Sequence, residues 1–554
     1  MHSELLLVGI AVLAAALHGA DGLHPTNRYL KRSTSSAMRA TVEASAPPSE
    51  DTMTKLTAQP PFATVVVNKA LEALDEALPK EKVQPNGAPE YLGGPPSKER
   101  VVVLGSGWGA HAFIDGLDAD KYDCTVVSPR NFFLFTPMLA GAAVGTVEYR
   151  SISQPIRSVN PGVGYLEATC THIDAAAKTI ECELVVCDGA ACEIRDFSLS
   201  FDHLIVAVGA TTNTFGIPGV QEHCFFLKQV EDAAKVRRGI GNCFERASVP
   251  GLTDAQREAI LTFAVIGAGP TGVEFVGELC DFIEQDVPRF YPSLLPYVRV
   301  KLIEASDKVL MAFDSELQAS ALETLRSRVS VSPSRGSDKP LVEVLLSAGV
   351  KEVKPDEILL SDGVTVPYGL AVWAAGIGPL PLVKDLAQSI PEQASLDGRG
   401  KLVVDNWLRV CGAPGVWALG DCVTIDQKPL PATAQVASQQ GAFLARLFTR
   451  NYDLSGAAPK IVGAKQGLVQ QFGDADGYAK GFNFLNLGIL AYLGDSKALA
   501  QVNVDESVVK GTGAAGFALW RSVYLSKQVS WRNRALVAID WAKIRLFGRD
   551  MTRL

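Results

Sequence analysis

Two short apolar runs, each ending in clustered glycines, constrain this chain more than any other feature: Val-Val-Val-Leu-Gly-Ser-Gly-Trp-Gly-Ala at 101–110 and Phe-Ala-Val-Ile-Gly-Ala-Gly-Pro-Thr-Gly at 263–272. Such a run reads as a buried parallel strand. Glycines directly after it permit a tight turn and bring the backbone at a helix N-terminus close to a pyrophosphate. One fingerprint is weak evidence, because any glycine-rich strand-to-helix turn resembles it. Two of them, each with strand pattern before and helix pattern after, point to two dinucleotides in one chain, a flavin and a nicotinamide, with electrons passing between them.

With 554 residues, 47% of them apolar, the chain has enough material for two or three domains with separate cores. A net charge of -8 offers no bulk attraction to nucleic acid, and no RNA-binding or zinc-finger pattern is present, so no nucleic-acid partner is expected. The ten cysteines are scattered without a Cys-x-x-Cys pair. Neither a disulfide framework nor a metal centre follows from that spacing, and the even run Cys182, Cys187, Cys192 fits a β-hairpin better than a metal or redox site.

Residues 1–23 contain an apolar core at 5–17 that is too short for a comfortable membrane span and reads as signal-like. Residues 24–41 carry Arg28, Lys31, Arg32 and Arg39 with serine and threonine and no acid, as organellar transit segments do. Signal plus transit hints at a plastid bounded by extra membranes, and a mitochondrial presequence is the rival. Most of the remainder of 24–99 reads as linker, with one helix at 64–78. Strand–helix alternation begins near Arg100, alternating stretches at 163–206 suggest a β-meander, and helical pattern fills 228–247 and 253–260. The expected fold class is α/β, with two Rossmann-like dinucleotide-binding domains, one inserted in the other. The first domain spans 100–227 and 373–450, the second spans 228–372, and 451–554 form a C-terminal region.

From Phe517 to Leu554 the bases Arg521, Lys527, Arg532, Arg534, Lys543, Arg545, Arg549 and Arg553 outnumber Asp540 and Asp550, interleaved with aromatic and aliphatic residues. No uncharged run there approaches the roughly 20 residues needed to cross a bilayer. Basic, aromatic helices of this kind lie in a membrane interface, so residues 517–554 are expected to meet a lipid surface. Packing on the body or on a second subunit, as a homodimer, is the alternative.

At the first fingerprint Gly105 and Gly107 allow turn and approach, and Ala110 takes the third small position. The acid that often grips a ribose after the next strand is missing; Ser128 stands there, with Arg130 two residues on. At the second, Gly267, Gly269 and Gly272 are complete, and the strand at 298–304 ends in Glu304. A carboxylate at that position accepts from both ribose hydroxyls and repels a 2′-phosphate, which favours NADH over NADPH.

Several motifs in order carry a family resemblance: Val-Ser-Pro-Arg-Asn-Phe-Phe-Leu-Phe-Thr-Pro-Met-Leu at 127–139, Gly-Ala-Gly-Pro-Thr-Gly-Val-Glu-Phe at 267–275, Ala-Ala-Gly-Ile at 374–377, Trp-Ala-Leu-Gly-Asp-Cys at 417–422, Ala-Gln-Val-Ala-Ser-Gln-Gln-Gly at 434–441 and Ala-Tyr-Leu-Gly-Asp at 491–495. Over roughly residues 100–554 the chain resembles the type II NADH dehydrogenases, single-polypeptide NADH:quinone oxidoreductases that do not pump protons. The resemblance implies bound FAD at the first fingerprint, NADH at the second and a membrane quinone as electron acceptor. It places Thr136 and Pro137 by the isoalloxazine ring and Asp421 at the ribitol or diphosphate edge, with a helix N-cap as the plainer reading of Asp421. A helix beginning near Pro431 would point its N-terminus at the flavin O2. Gln435 and Gln439, four apart on one helix face, would line the quinone pocket as neutral hydrogen-bonding groups. Glu274 would face the space between nicotinamide and quinone and relay a proton, or serve as a first-turn helix acid.

Some relatives in this family carry a calcium-binding EF-hand. Here Asp474-Ala475-Asp476-Gly477 begins like one, but Ala479 and Leu485 stand where glycine and glutamate are needed, so no calcium loop is expected. The family implies a peripheral position on an organellar membrane, the mitochondrial inner membrane by resemblance and a plastid by the N-terminal composition. Sulfide:quinone oxidoreductase is a close rival that needs cysteines at the flavin, and a non-catalytic flavin-containing organellar factor is a more distant one. A disulfide reductase is disfavoured because the helix after Gly105 lacks Cys-x4-Cys.

Overall fold

The computed structural model describes residues 48–552 apart from 61, 78–97, 189–190, 330–339, 427, 467–468, 475 and 505–506. The expected signal-like and transit-like segments lie outside the described residues. The stretch that follows is not all linker. Helix α1 (Glu50–Thr57) starts on Ser49, whose hydroxyl accepts from the Thr52 amide at 3.2 Å, and it buries Leu56, whose carbonyl accepts from the Gly481 amide at 2.9 Å. Helix α2 (Phe62–Ala77) follows, near the expected 64–78, with Val65 buried.

The first fingerprint joins β1 (Glu99–Leu104) to α3 (Trp108–Gly116). With β2 (Tyr122–Val127), β3 (Gly164–Leu166), β7 (His203–Val206) and β15 (Val416–Ala418), β1 forms a five-stranded parallel sheet in the order β15-β7-β1-β2-β3. Parallel strands need crossovers and covered faces, and all four carboxyl-terminal residues of β1 are buried. A short helix, α4 (Leu139–Ala143), crosses from this domain toward the second one. The meander is real but shorter than expected: β4 (Thr169–Asp174), β5 (Thr179–Asp188) and β6 (Ala191–Ser200) are antiparallel, whereas Gly164–Leu166 completes the parallel sheet. Cys187 and Cys192 oppose each other across β5 and β6, as a hairpin requires.

A two-stranded antiparallel crossing, β8 (Thr211–Thr212) with β14 (Ile377–Gly378), brackets the second unit. Its parallel sheet runs β9 (Phe225–Phe226), β13 (Leu370–Trp373), β10 (Thr262–Ile266), β11 (Arg299–Ile303), β12 (Val342–Leu345). Helices α5 (Val230–Ala247) and α6 (Asp254–Ile260) stand close to the expected spans; α7 (Pro270–Gln285) follows the second fingerprint and is buried along most of its length. Phe225, Phe226 and Trp373 belong to this sheet, a few residues outside the expected junctions at 227/228 and 372/373.

The chain then returns to the first sheet through β15 and to α8 (Ala434–Thr449), which packs on α3. Helix α8 begins three residues later than expected. Thr433, not Pro431, precedes its first turn, and the Thr433 hydroxyl accepts from the Val436 amide at 3.3 Å, satisfying one donor that a helix N-terminus leaves unpaired. The C-terminal region adds an antiparallel sheet, β16 (Ile489–Gly494), β17 (Lys497–Val504) and β18 (Ser507–Gly511), then α9 (Gly513–Ser526) and α10 (Trp531–Phe547). Among the described residues no helix is long and apolar enough to cross a membrane.

Candidate active site

Both fingerprints build the same cradle. Gly105 sits at φ +108°, where a Cβ would stand 2.5 Å from the Ala207 carbonyl oxygen, so the turn requires glycine. Gly267 repeats this at φ +104° against Ala375. Gly107 and Gly269 cap α3 and α7 with no side-chain bond to the free amides, and a Cβ on either would meet open space. Two uncapped helix N-termini with room beside them are suited to diphosphates, because unpaired N–H groups and the helix dipole both favour an anion there. Ala110 is fully buried and a Cβ on Gly272 would stand 1.9 Å from the Gly267 oxygen, as the third small position demands.

Around the first cradle Ser128 is buried, its hydroxyl donating to Ser106 Oγ at 3.1 Å and accepting from the Arg130 amide at 3.2 Å. Arg130 Nε donates to Ser106 Oγ and the Phe132 carbonyl, and Nη1 bonds Gln229 Oε1. Thr136 Oγ1 accepts from Trp108 Nε1 at 3.0 Å, which ties the first residue of α3 to the turn Thr136–Met138. Asp421 lies in a 3-10 turn, Gly420–Cys422, at the end of β15, and is no cap of α8. Its charge raises the pKa of Lys228, whose larger burial effect lowers it.

Three residues that the sequence reading passed over position these groups. Gln440, 1% exposed, accepts from the Gly420 amide at 2.7 Å and so fixes the turn that presents Asp421. Gly109 and Gly441 set the approach of α3 to α8: a Cβ on Gly441 would stand 2.2 Å from the Gly109 oxygen, and one on Gly109 would meet Leu419 at 1.9 Å. Adjacency to the fingerprint and to Gln439 was the only available signal.

In the second cradle the Glu304 carboxylate is already engaged. Oε2 accepts from the Ala268 amide inside the fingerprint at 2.6 Å, and Oε1 from the Ser306 amide at 2.9 Å. It therefore stands beside the glycine turn.

Gln435 and Gln439 do not present free amides. Gln435 Nε2 donates to the Gly488 carbonyl at 3.0 Å while Oε1 accepts from Leu487; Gln439 exchanges the same pair of bonds with Leu485 at 2.9 and 3.0 Å. The two amides clasp α8 to the segment that leads into β16. Glu274 lies elsewhere, in a cavity of about 10 Å³ that neither glutamine lines, with Glu278, Pro137, Met138, Tyr492, Trp520 and Trp541 among its walls. Burial pushes the Glu274 carboxyl up to about 8, against the opposing pull of the Tyr492 amide, which donates to Oε1 at 3.3 Å. The indole Nε1 of Trp520 is buried and lies close enough to stabilise the carboxylate without completing a hydrogen bond. Asp474, the first residue of the rejected calcium loop, is held by the Tyr452 hydroxyl and faces Arg446.

Residues 99–441 match the pyridine nucleotide-disulphide oxidoreductase family and residues 486–550 the NDH2 C-terminal domain. The chain is 36% identical to external alternative NAD(P)H-ubiquinone oxidoreductase B4, mitochondrial, of Arabidopsis thaliana, over 83% of this chain and 90% of that one. It is 38% identical to internal alternative NAD(P)H-ubiquinone oxidoreductase A1, mitochondrial, of Solanum tuberosum, over 82% and 88%. Its fold is similar to that of NDH2 from Plasmodium falciparum in complex with NADH, at a TM-score of 0.70 and 26% identity, covering 82% of this chain and all of that one.

Proposed function

The chain belongs to the type II NADH dehydrogenases, and from that premise we propose how its residues carry out the reaction. It is an FAD-dependent enzyme that transfers electrons from NADH to a quinone without pumping protons. The observation that carries this reading is the pair of uncapped, glycine-lined helix N-termini at Gly107 and Gly269, each at the carboxyl end of a parallel sheet. FAD held by Gly105, Gly107 and Ala110 would supply the hydride-accepting and electron-passing chemistry between NADH and quinone; the protein contributes position and electrostatics.

In this proposal Gly105, Gly107 and Ala110 hold the FAD diphosphate on α3. Ser128 and Arg130 frame its adenosine end, with Asp421 at the ribitol or diphosphate edge and Thr136, fixed by Trp108, beside the ring. Gly267, Gly269 and Gly272 receive the NADH diphosphate, and Glu304 the ribose. Gln435 and Gln439 act by keeping segment 485–488 against α8, so the quinone wall is built from that segment together with the glutamine face. Glu274, kept protonated by burial at neutral pH, hands a proton toward the quinone. The yellow absorbance of bound flavin and NADH oxidation with a soluble quinone test the reading. A colourless protein, or one inert toward both substrates, would sink it, and sulfide-dependent quinone reduction would select the rival enzyme.

Its named relatives are mitochondrial, and among the described residues no helix is long and apolar enough to cross a membrane, which supports a peripheral place on a mitochondrial membrane. We assign the enzyme to the inner membrane and its lipid contact to 517–554, where Trp531, Leu546 and Phe547 are 77%, 74% and 70% exposed on a basic helix. Trp520, Val537 and Arg549 of the same region are buried, so the tail both packs on the body and offers a face outward. A homodimer through that face remains the competing use, and light scattering in detergent separates the two. The apolar core at 5–17 before the basic stretch supports a plastid as second reading; a fluorescent reporter fused behind residues 1–60 distinguishes the organelles.

A further inference from the structure

Helix α7 carries a second buried acid one turn beyond Glu274. Residues four apart on a helix share a face, so Glu274 and Glu278 open into the same small cavity, which is near the lower limit for a single water molecule. Trp520 contributes to that wall a buried Nε1 that has no hydrogen-bond partner among the described residues. Such a donor beside two carboxyls is suited to hold a water that bridges them.

Glu278 shares its nearest counter-ion with a closer acid. Arg549, itself buried, donates from its backbone and from Nη1 to Asp286 at 3.0 and 2.8 Å, and its nearest approach to Glu278 is Nη2 at 3.9 Å. Arg328 is spent on Asp281 and Glu284. Arg521 stacks over Trp541 at 4.2 Å, and its charge is the weakest of the influences on Glu278. The one short bond to Glu278 comes from the Thr146 hydroxyl at 2.5 Å, while Gly141 leaves its other oxygen uncrowded, since a Cβ there would approach to 3.3 Å. Burial raises Glu278 to about 7; Asp281 adds to the rise, and Arg549, Thr146 and Arg521 oppose it. The hydroxyl of Tyr492 is directed away, onto Asp281 at 2.5 Å.

We propose that Glu278 is the proton-holding group behind Glu274, and that the two acids across this cavity store the protons that quinone takes up on reduction. Quinone accepts two electrons originating in NADH and two protons; each carboxylic acid loses one O–H proton to become a carboxylate and regains it from solvent. Glu278 acts through Glu274 and is a positioning and storage residue. The inference therefore rests on the relay role proposed for Glu274.

The test is infrared spectroscopy of the purified flavoprotein, without NADH or quinone, across pH 5–9, with flavin content as the folding control. Wild type should show two protonated-carboxyl carbonyl bands that titrate away with rising pH; Glu278→Gln should remove one and Glu274→Gln the other. In turnover Glu278→Gln should lower kcat about tenfold with little change in KM for quinone and, while leaving the part of the decline in rate near pH 8 that belongs to Glu274, remove the part near pH 7. Thr146→Ala, which removes a bond that favours the charged form, should move that decline to higher pH, and it serves if Glu278→Gln fails to retain flavin. An unchanged band pattern and pH profile in both Glu278→Gln and Thr146→Ala would overturn the role of Glu278. A profile altered by Glu278→Gln but untouched by Glu274→Gln would instead overturn the relay through Glu274, and the storage proposal with it.

Discussion

Glu304 shows how much one residue can decide. Its two oxygens accept from the Ala268 and Ser306 amides, so the carboxylate is fixed beside the glycine turn before any ribose arrives. Glu304→Gln keeps the size and removes the charge that repels a 2′-phosphate, so the ratio of kcat/KM for NADH over NADPH should fall by about tenfold, roughly 1.4 kcal/mol. An unchanged ratio would discard its assigned role. The buried acids make a second prediction, about stability. Folded Glu274 and Glu278 hold protons to about 8 and about 7, against an ordinary 4.5. Their contribution is present below the ordinary value and is lost as pH rises through 7 and 8, because the unfolded chain then releases protons the folded one retains. The melting temperature should decline from pH 5 to pH 9, and Glu274→Gln with Glu278→Gln together should flatten that decline. The place of Glu304 beside the glycine turn was legible from its position at a strand end; the setting of Glu278 was not, because its distant hold on Arg549 depends on that arginine, far away in sequence, being committed to Asp286.

At the scale of elements, α8 and α10 each combine two tasks. Helix α8 carries Gln435 and Gln439 on one face and buries Gln440 on another. Gln435→Leu removes both bonds to the 487–488 backbone and should slow quinone turnover while sparing bleaching of the flavin by NADH; equal loss of both would signal misfolding. Unpairing two backbone groups costs about 1–3 kcal/mol each if they stay dry, so a modest fall in melting temperature should accompany it. On α10, changing Trp531, Leu546 and Phe547 together to serine should release the protein from vesicles containing anionic lipid without lowering its melting temperature, since these side chains are largely exposed. Retention on vesicles would favour an interface between copies. The 3.6 and 2.0 periods made most of these elements readable. Their ends were less so: Thr433 outcompetes Pro431 as the start of α8 because its hydroxyl can pair a free amide and a proline ring cannot.

For the whole molecule, the C-terminal region closes over the second domain instead of trailing from it. Tyr492 on β16 and Arg549 after α10 both reach α7, and Asn533 Nδ2 donates to the Ser151 and Ser153 carbonyls of the first domain. Deleting 517–554 should therefore lower the melting temperature and the flavin content as well as membrane binding, so surface substitution is the cleaner probe of lipid contact. Local sequence was enough for the two glycine turns and for the place of Glu304 beside the second of them, because each rests on neighbours close in sequence or in adjacent strands and on backbone conformations that only glycine adopts cheaply. The folded chain was needed to see which tail residues are core, that Gln435 and Gln439 hold a backbone segment, and that two acids on α7 share one small cavity. Those outcomes depend on burial and on the competition among distant partners for a few charges, and no local pattern encodes that competition.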